Sequence, residues 1–412
     1  MSATGNASVV EPSIGIAGQA ASTRVVSIDI FRGFTMAMMI FVNDLSDVHG
    51  LSKWTYHMPA NVDAMTYVDM VYPAFLFLVG MSIPLAVRQR LRRDSSLPRL
   101  WMHVLLRVLG LLALGLVLAN AELGDSARMN INTNVWALLA LLGAVLLWMV
   151  YERGMNRRLM LLLRGAGAVL LVGMYAIFRR QLLHGGEGWI DFAYPEILGL
   201  IGLTYLGVCL LYIPLRRWMW TPVACFALML VYNIACCAKW ITVKLPMYIW
   251  PWDNGAMALI VFGGMVVSVI FLGEHRWSSV RQKLGIAVGF AVLTLVLGLL
   301  LRPLGISKIR ATPTWALWSV SASTLIFTAF YWICDVRKWT RWASLLRPAG
   351  ANTLMTYLLP DIFVYLTGWL GLGYVLGHWN AGPAGVLRSI LFTVAMLLLA
   401  GLLTRAKVRL QL

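Results

Sequence analysis

Apolar positions along this chain come in unbroken runs, with polar residues confined mostly to the stretches between them. Twelve runs lie near 27–46, 68–88, 100–121, 134–151, 159–178, 193–214, 218–237, 255–273, 282–302, 313–334, 350–370 and 385–404, the fifth interrupted by Arg164. Each is long enough, at about 20 residues, to cross a hydrocarbon core of about 30 Å as a helix. The pattern predicts an all-α polytopic transmembrane bundle of about twelve (11–12) spanning helices, one membrane domain over residues 24–412. Residues 1–23 are rich in Ala, Ser and Gly and have no apolar run. They read as a disordered tail rather than a signal peptide, which leaves the first spanning helix to target the chain.

Composition agrees: 60% of the 412 residues are hydrophobic, 12% are charged, and mean hydropathy is +0.77. A soluble domain carries roughly twice that charged fraction. The net charge of +17 would suit nucleic acid, but its distribution gives a better explanation. Alternate loops collect 21 Lys and Arg on one side and nine on the other. By the positive-inside rule both termini are cytoplasmic, in the plasma (inner) membrane, and eleven helices would put Arg405, Lys407 and Arg409 on the wrong side. No nucleic-acid partner is implied. The excess charge suits anionic membrane lipid heads or an anionic cofactor. Five cysteines, Cys209, Cys225, Cys236, Cys237 and Cys334, fall in or beside apolar runs without metal spacing, so no metal is expected.

Polar chemistry concentrates between Arg24 and Val87. Ionisable groups in or beside spanning helices are expensive and are usually kept for function. Asp29 and Arg32 share a face at the start of helix one, as a helix-end ion pair or as a place where Arg32 meets a cofactor phosphate. Asn43 follows eleven residues on, roughly 16 Å along the axis, so one helix presents polar groups at both membrane faces. Asn43 and Asp44 close that helix. The loop beyond holds His57 with Trp54 and Asp63; a lone loop histidine is most often merely solvated, but one among carboxylates is a candidate general base. His49 and His103 are weaker candidates. Asp69 opens helix two, where it either complements the helix dipole or fixes an imidazole tautomer. Outer loops near 121–136, 184–196 and 246–254 mix aromatics with carboxylates and amides. Trp252 and Asp253 in the last could meet sugar C–H faces and hydroxyls, or the tryptophans could simply belong to the interfacial aromatic belt.

These stretches together resemble the heparan-α-glucosaminide N-acetyltransferase family. The opening Ser27-Ile28-Asp29-Ile30-Phe31-Arg32-Gly33, with Val42-Asn43, is similar to the family's "SxDxFRG" leading to "VN". His57, then Thr66-Tyr67-Val68-Asp69-Met70-Val71-Tyr72-Pro73, Phe75, Phe77 and Gly80, resembles its next motif. Tyr194-Pro195-Glu196-Ile197-Leu198 with Gly202-Leu203-Thr204-Tyr205, Lys308 with Trp315-Ala316-Leu317-Trp318-Ser319, Asp335-Val336-Arg337, and Gly350-Ala351-Asn352-Thr353-Leu354 with Tyr357 follow in order. Two departures stand out: the His57–Asp69 spacing is two residues longer, and Gly199-Leu200 replaces a Gln-Arg pair.

The resemblance implies transfer of an acetyl group from cytosolic acetyl-CoA to an amino sugar or glycan across the membrane. His57 would be the catalytic base or acyl acceptor, with Asn43 stabilising the oxyanion and Asp69 orienting the site. Asp29, Arg32, Lys308 and Asn352 would serve the cofactor, and Asp44, Trp54, Asp63, Trp252 and Asp253 the acceptor. A homodimer is left open. So are two other readings: a transporter of a polar solute, which should not bind coenzyme A, and an O-acetyltransferase of envelope polysaccharide.

Overall fold

The computed structural model describes residues 25–152, 154–242, 245–273, 279–373 and 379–412, and in it every one of the twelve apolar runs becomes helical. The helices are α1 (Val26–Leu45), α2 (Val68–Arg93), α3 (Leu97–Ala121), the single turn α4 (Ser126–Met129), α5 (Thr133–Trp148), α6 (Arg157–Ile177) and α7 (Glu196–Leu215). They continue with α8 (Thr221–Cys237), α9 (Ala256–Leu272), α10 (Val280–Leu300), α11 (Pro313–Phe330), α12 (Leu346–Ala351), α13 (Thr353–Trp369) and α14 (Gly382–Arg405). Eight described helices are long and apolar enough to cross a membrane; α5, α8 and α9 are shorter apolar helices. The protein is a polytopic membrane protein. The run expected near 350–370 is broken at Asn352 into α12 and α13. The proposed tail 1–23, with Arg24, Arg153, Lys244 and Arg276 from the loop count, lies outside the described residues.

Helix α9 is the centre, buried along nearly its whole length against α2, α8 and α11. Its crossing with α2 is a backbone contact. A Cβ on Gly264 would sit 1.9 Å from the Phe77 carbonyl oxygen, and one on Gly80 1.9 Å from that of Val261. Small residues on both helices are what let two backbones close without side chains between them. The apolar windows of α6 and α10 are only 11% and 22% buried, against 72% for α7. Their bare apolar faces are what hydrocarbon would cover.

Alternate loops gather at opposite ends of the bundle. At one end, the His57 face, His49 N–H donates to the Asn380 carbonyl (2.7 Å), Asp63 pairs with Arg310, and Asn254 Nδ2 donates to the Ala311 carbonyl (3.0 Å). At the other end, Asp335 caps α1 from afar, accepting the Val26 and Ser27 N–H groups at 3.0 Å each. Those amides start a helix whose own first residue offers no side-chain cap, so the carboxylate satisfies orphan donors and suits the dipole. Val150 N–H donates to the Arg409 carbonyl at this same end (2.8 Å). Val25 and Leu412 thus lie at one end of the bundle.

Candidate active site

On the His57 face, the 46–67 loop folds back over the first turn of α2. Thr66 Oγ1 donates to the Tyr56 carbonyl (3.0 Å), closing the loop into a short ring. That closure sets His57 Nδ1 at 2.7 Å from Asp69 Oδ1. Asp69 is 1% exposed and His57 44% exposed, so the carboxylate is sealed and the ring is open to the face. The other carboxylate oxygen takes the Thr66 N–H (3.1 Å) and Met58 N–H (3.4 Å), while Trp315 Nε1 donates to the Asp69 main-chain carbonyl (3.0 Å). Asp69 is therefore fixed by loop, helix and α11 together. A carboxylate only accepts, so Nδ1 carries the proton and Nε2 presents its lone pair outward. This is the geometry of an oriented general base.

A third ionisable group completes the cluster. Lys308, in the loop after α10, places Nζ 3.4 Å from His57 Nδ1 and 3.5 Å from Nε2. A point nearly equidistant from both ring nitrogens at such range lies over the imidazole face, because in the ring plane it would collide with the carbon between them. The ammonium therefore leaves the in-plane Nε2 lone pair open. Burial pushes the Lys308 pKa below the ordinary lysine value, with the Asp69 charge opposing the shift. The loop is rigidly tied: Ser307 N–H donates to Thr312 Oγ1 (3.0 Å), Thr312 N–H to the Ser307 carbonyl (3.1 Å), and Asn233 Nδ2 to the Ala311 carbonyl (3.1 Å). It is clasped to the histidine loop by Asp63, which accepts from Arg310 and from Ile306 N–H (3.2 Å). The Arg310 hydrogen bond is the main reason the Asp63 carboxyl titrates below its usual range.

The other expected acceptor residues are spread out. Trp54 is exposed on the same loop. Asp44 is engaged by Arg388 Nη2 (3.0 Å) and Ser389 Oγ (2.6 Å), joining α1 to α14. Trp252 packs edge-on to Trp250 at 4.7 Å and under Gly207, with a buried indole N–H, while exposed Asp253 gives its carbonyl to Tyr232. They sit one loop away, connected through Asn254 and the 301–312 loop. Asn43 is exposed, and among the described residues its side chain makes no hydrogen bond to His57.

The four residues expected around the cofactor do not meet. Lys308 is on the His57 face. Asn352 is buried and holds the C-terminal segment, donating to the Val408 carbonyl (2.9 Å) and accepting from Leu410 N–H (3.2 Å). Asp29 and Arg32 lie at the opposite end, 3.6 Å apart. Arg32 lines a cavity of about 760 Å³ there, together with Arg90, Arg93, Arg99, Arg107 and Arg409. Arg107 stacks over the Tyr205 ring at 5.0 Å, and its Nε is buried without an acceptor among the described residues. Asp94 offsets part of this charge: it accepts from Arg99 at 2.5 Å, which holds its carboxyl below the usual range. The cavity runs inward to Phe75, Leu198 and Tyr357. Phe75 is six residues from Asp69, so the cavity's inner end lies about 9 Å of helix rise from the dyad. Several like charges and an orphaned donor around one open volume suit a polyanion. Among the described residues no group of three or more His, Cys, Asp or Glu side chains is placed to hold a metal.

Sequence spacing missed this convergence, because Arg32, Arg90, Arg107 and Arg409 come from four separate segments. It also missed Lys308 at His57, 251 positions away. At Gly199 a Cβ would stand 2.5 Å from Pro195 Cβ and 3.4 Å from Leu112 Cδ2, and a Cβ on Gly115 would meet Gly199 N at 2.6 Å, so α3 and α7 touch there.

Residues 24–150 match the family model described as "Heparan-alpha-glucosaminide N-acetyltransferase, catalytic". The human heparan-alpha-glucosaminide N-acetyltransferase is 34% identical over 97 residues, covering 24% of this chain and 14% of that protein. The mouse protein of the same name is 29% identical over 102 residues, covering 25% and 15% respectively. The resemblance read from the sequence is thus borne out over residues 24–150, the segment that carries α1, α2, His57 and Asp69, while the matched region spans about a seventh of those relatives' length.

Proposed function

We propose that this protein is a multi-pass membrane acetyltransferase that carries an acetyl group from acetyl-CoA, bound at the arginine-lined end, to an amino sugar or glycan at the His57 face. The observation that carries the reading is the pairing of two unlike sites at opposite ends of one bundle. One is a buried-carboxylate–histidine pair with a free Nε2. The other is a basic cavity reaching toward it. A cytoplasmic cavity mouth agrees with the excess of basic residues in the loops at that end. This orientation, with the plasma membrane as location and residues 24–412 as one domain, belongs to the same proposal.

Arg32, Arg90, Arg107 and Arg409 would hold the nucleotide phosphates of acetyl-CoA, and the apolar inner wall at Phe75 and Leu198 would suit its flexible arm. His57 Nε2 takes the proton from the acceptor amine or hydroxyl as that atom attacks the thioester carbonyl. Asp69 holds the ring and offsets the imidazolium charge that forms. The carbon–sulfur bond breaks, and the proton passes to the departing thiolate. Transfer by way of an acetyl-histidine uses the same atom, Nε2, as nucleophile.

The test is purified protein in detergent with radiolabelled acetyl-CoA and a panel of amino sugars and glycans, His57→Ala serving as control. Histidine-dependent label transfer is the expected result. A protein that neither binds coenzyme A nor consumes its thioester would favour the transport of a polar solute instead.

A further inference from the structure

We propose that Lys308 is a catalytic residue of the transfer, its ammonium holding the oxyanion that forms on the thioester carbonyl oxygen. The inference rests on the acetyl-transfer reading above and adds to it a group from a segment outside residues 24–150.

The geometry starts from where Nζ sits. It is 3.5 Å from Nε2 and lies over the ring, not in its plane. An acceptor atom hydrogen-bonded in the plane to Nε2 at about 2.8 Å would then lie roughly 5 Å from Nζ, on the outer side of the ring. The oxygen of the tetrahedral adduct is about 2.3 Å from that attacking atom, so it can close to hydrogen-bond distance of Nζ without movement of either residue. Base and cation thus address two different atoms of one adduct. His57 takes the acceptor's proton; Lys308 receives the negative charge that moves onto oxygen. When the adduct collapses, the charge leaves with sulfur and the ammonium is unchanged, so the step balances without any further reactant.

Three features make Lys308 fit for this. Its loop is tied by Ser307, Thr312 and Asn233 and clasped through Asp63, so the charge is held in place before reaction. It is only partly exposed, and a cation in a partly dry site is worth more than one in water. The facing charged and titratable groups are His57 and Asp69, with the Asp63–Arg310 pair beside them. The Asp69 carboxylate helps keep Nζ protonated against the pull of burial. Asn43, the oxyanion group expected from sequence, is exposed and is not joined to this cluster.

The experiment compares wild type, His57→Ala, Lys308→Met and Lys308→Arg for kcat and for KM toward acetyl-CoA, across pH. Lys308→Met should lower kcat by about 100-fold or more with KM changed less than about threefold, the mark of a group used in the transition state. Wild type should lose rate on the alkaline side below the ordinary lysine range, as the ammonium deprotonates. Lys308→Arg should keep partial activity and hold it to higher pH, since guanidinium stays charged. That second signature stands even if Lys308→Met fails to fold. Transfer that survives Lys308→Met with near-normal kcat, or an alkaline limb identical in Lys308→Arg, overturns this role while leaving the acetyl-transfer reading standing. Wild type with no His57-dependent transfer overturns both.

Discussion

The two ends of the bundle handle charge in opposite ways. Around His57 the ionisable groups are held in pairs: Asp69 with His57, Asp63 with Arg310. At the other end several arginines surround one open cavity, with Asp94 and Asp29 offsetting only part of their charge. The first arrangement fixes atoms, and it suits bond making, where a 1 Å error is costly. The second fixes little and attracts much, and it suits holding a flexible polyanion whose charge need not be met at one point. Helix α2 joins them, with Asp69 at one end and Arg93 at the other, about 36 Å apart along the axis.

That shared helix gives the largest effect. Gly264→Leu would force atoms into the Phe77 carbonyl, where even a Cβ would stand at 1.9 Å. Backbone has no rotamer by which to yield, so α2 and α9 must separate, at a cost above about 3 kcal/mol. The expected outcome is loss of the folded monodisperse protein in detergent, and with it both sites. A well-folded Gly264→Leu protein would mean that α2 and α9 do not cross in backbone contact.

Next come changes confined to the His57 face. His57→Ala should reduce transfer by roughly 10²–10⁴ and leave coenzyme A binding intact. Asp69→Asn should also slow turnover, since an amide can accept at Nδ1–H but cannot offset the imidazolium charge. Calorimetric titration with coenzyme A separates the two ends: unchanged affinity in both variants is expected, and lost affinity would mean that the sites are not distinct.

The arginine end should break gradually. Arg90→Ala or Arg107→Ala should raise KM for acetyl-CoA by about threefold to tenfold with kcat little changed, because the charge is shared. Affinity should also fall as salt rises from 50 to about 300 mM, while the rate at saturation stays constant. A single arginine whose loss stops turnover at saturating acetyl-CoA would refute the idea of a distributed site.

The contrast also explains what the sequence could disclose. Apolar runs fixed the helices to within a few residues, because run length and bilayer thickness are one constraint. His57 and Asp69 were readable as a pair because twelve residues of chain separate them and one loop closes over them. Lys308 and the arginine cavity were not, since their members meet only through the packing of distant helices. The motifs that carried the resemblance turn out to be architectural in part. Asp335 caps α1, Asn352 anchors the C-terminal segment, and a Cβ on Gly350 would lie 2.0 Å from the Asp29 carbonyl oxygen. Such positions answer the demands of close backbones and helix ends, and a sequence pattern alone does not separate them from chemistry.

The smallest effect belongs to the exposed clasp. Asp63 lies at the surface, so solvent and salt weaken its pair with Arg310, and its removal should not unfold the protein. Its folded pKa lies below the unfolded carboxylate value of about 4, because the Arg310 hydrogen bond and the Ile306 N–H favour the charged form. The clasp is therefore complete above that unfolded value and is lost as pH falls through the lower folded one. At neutral pH, Asp63→Asn should let the 301–312 loop open more often. That would show as faster hydrogen exchange at the Ile306 amide and a few-fold lower kcat, with KM for acetyl-CoA unchanged. As pH falls below the unfolded carboxylate value and through the lower folded one, wild type should approach the exchange rate of the variant. If exchange at Ile306 is the same in both proteins at neutral pH, the clasp does not hold the lysine loop, and the placement of Lys308 must come from the Ser307–Thr312 turn and the Asn233 and Asn254 contacts to Ala311.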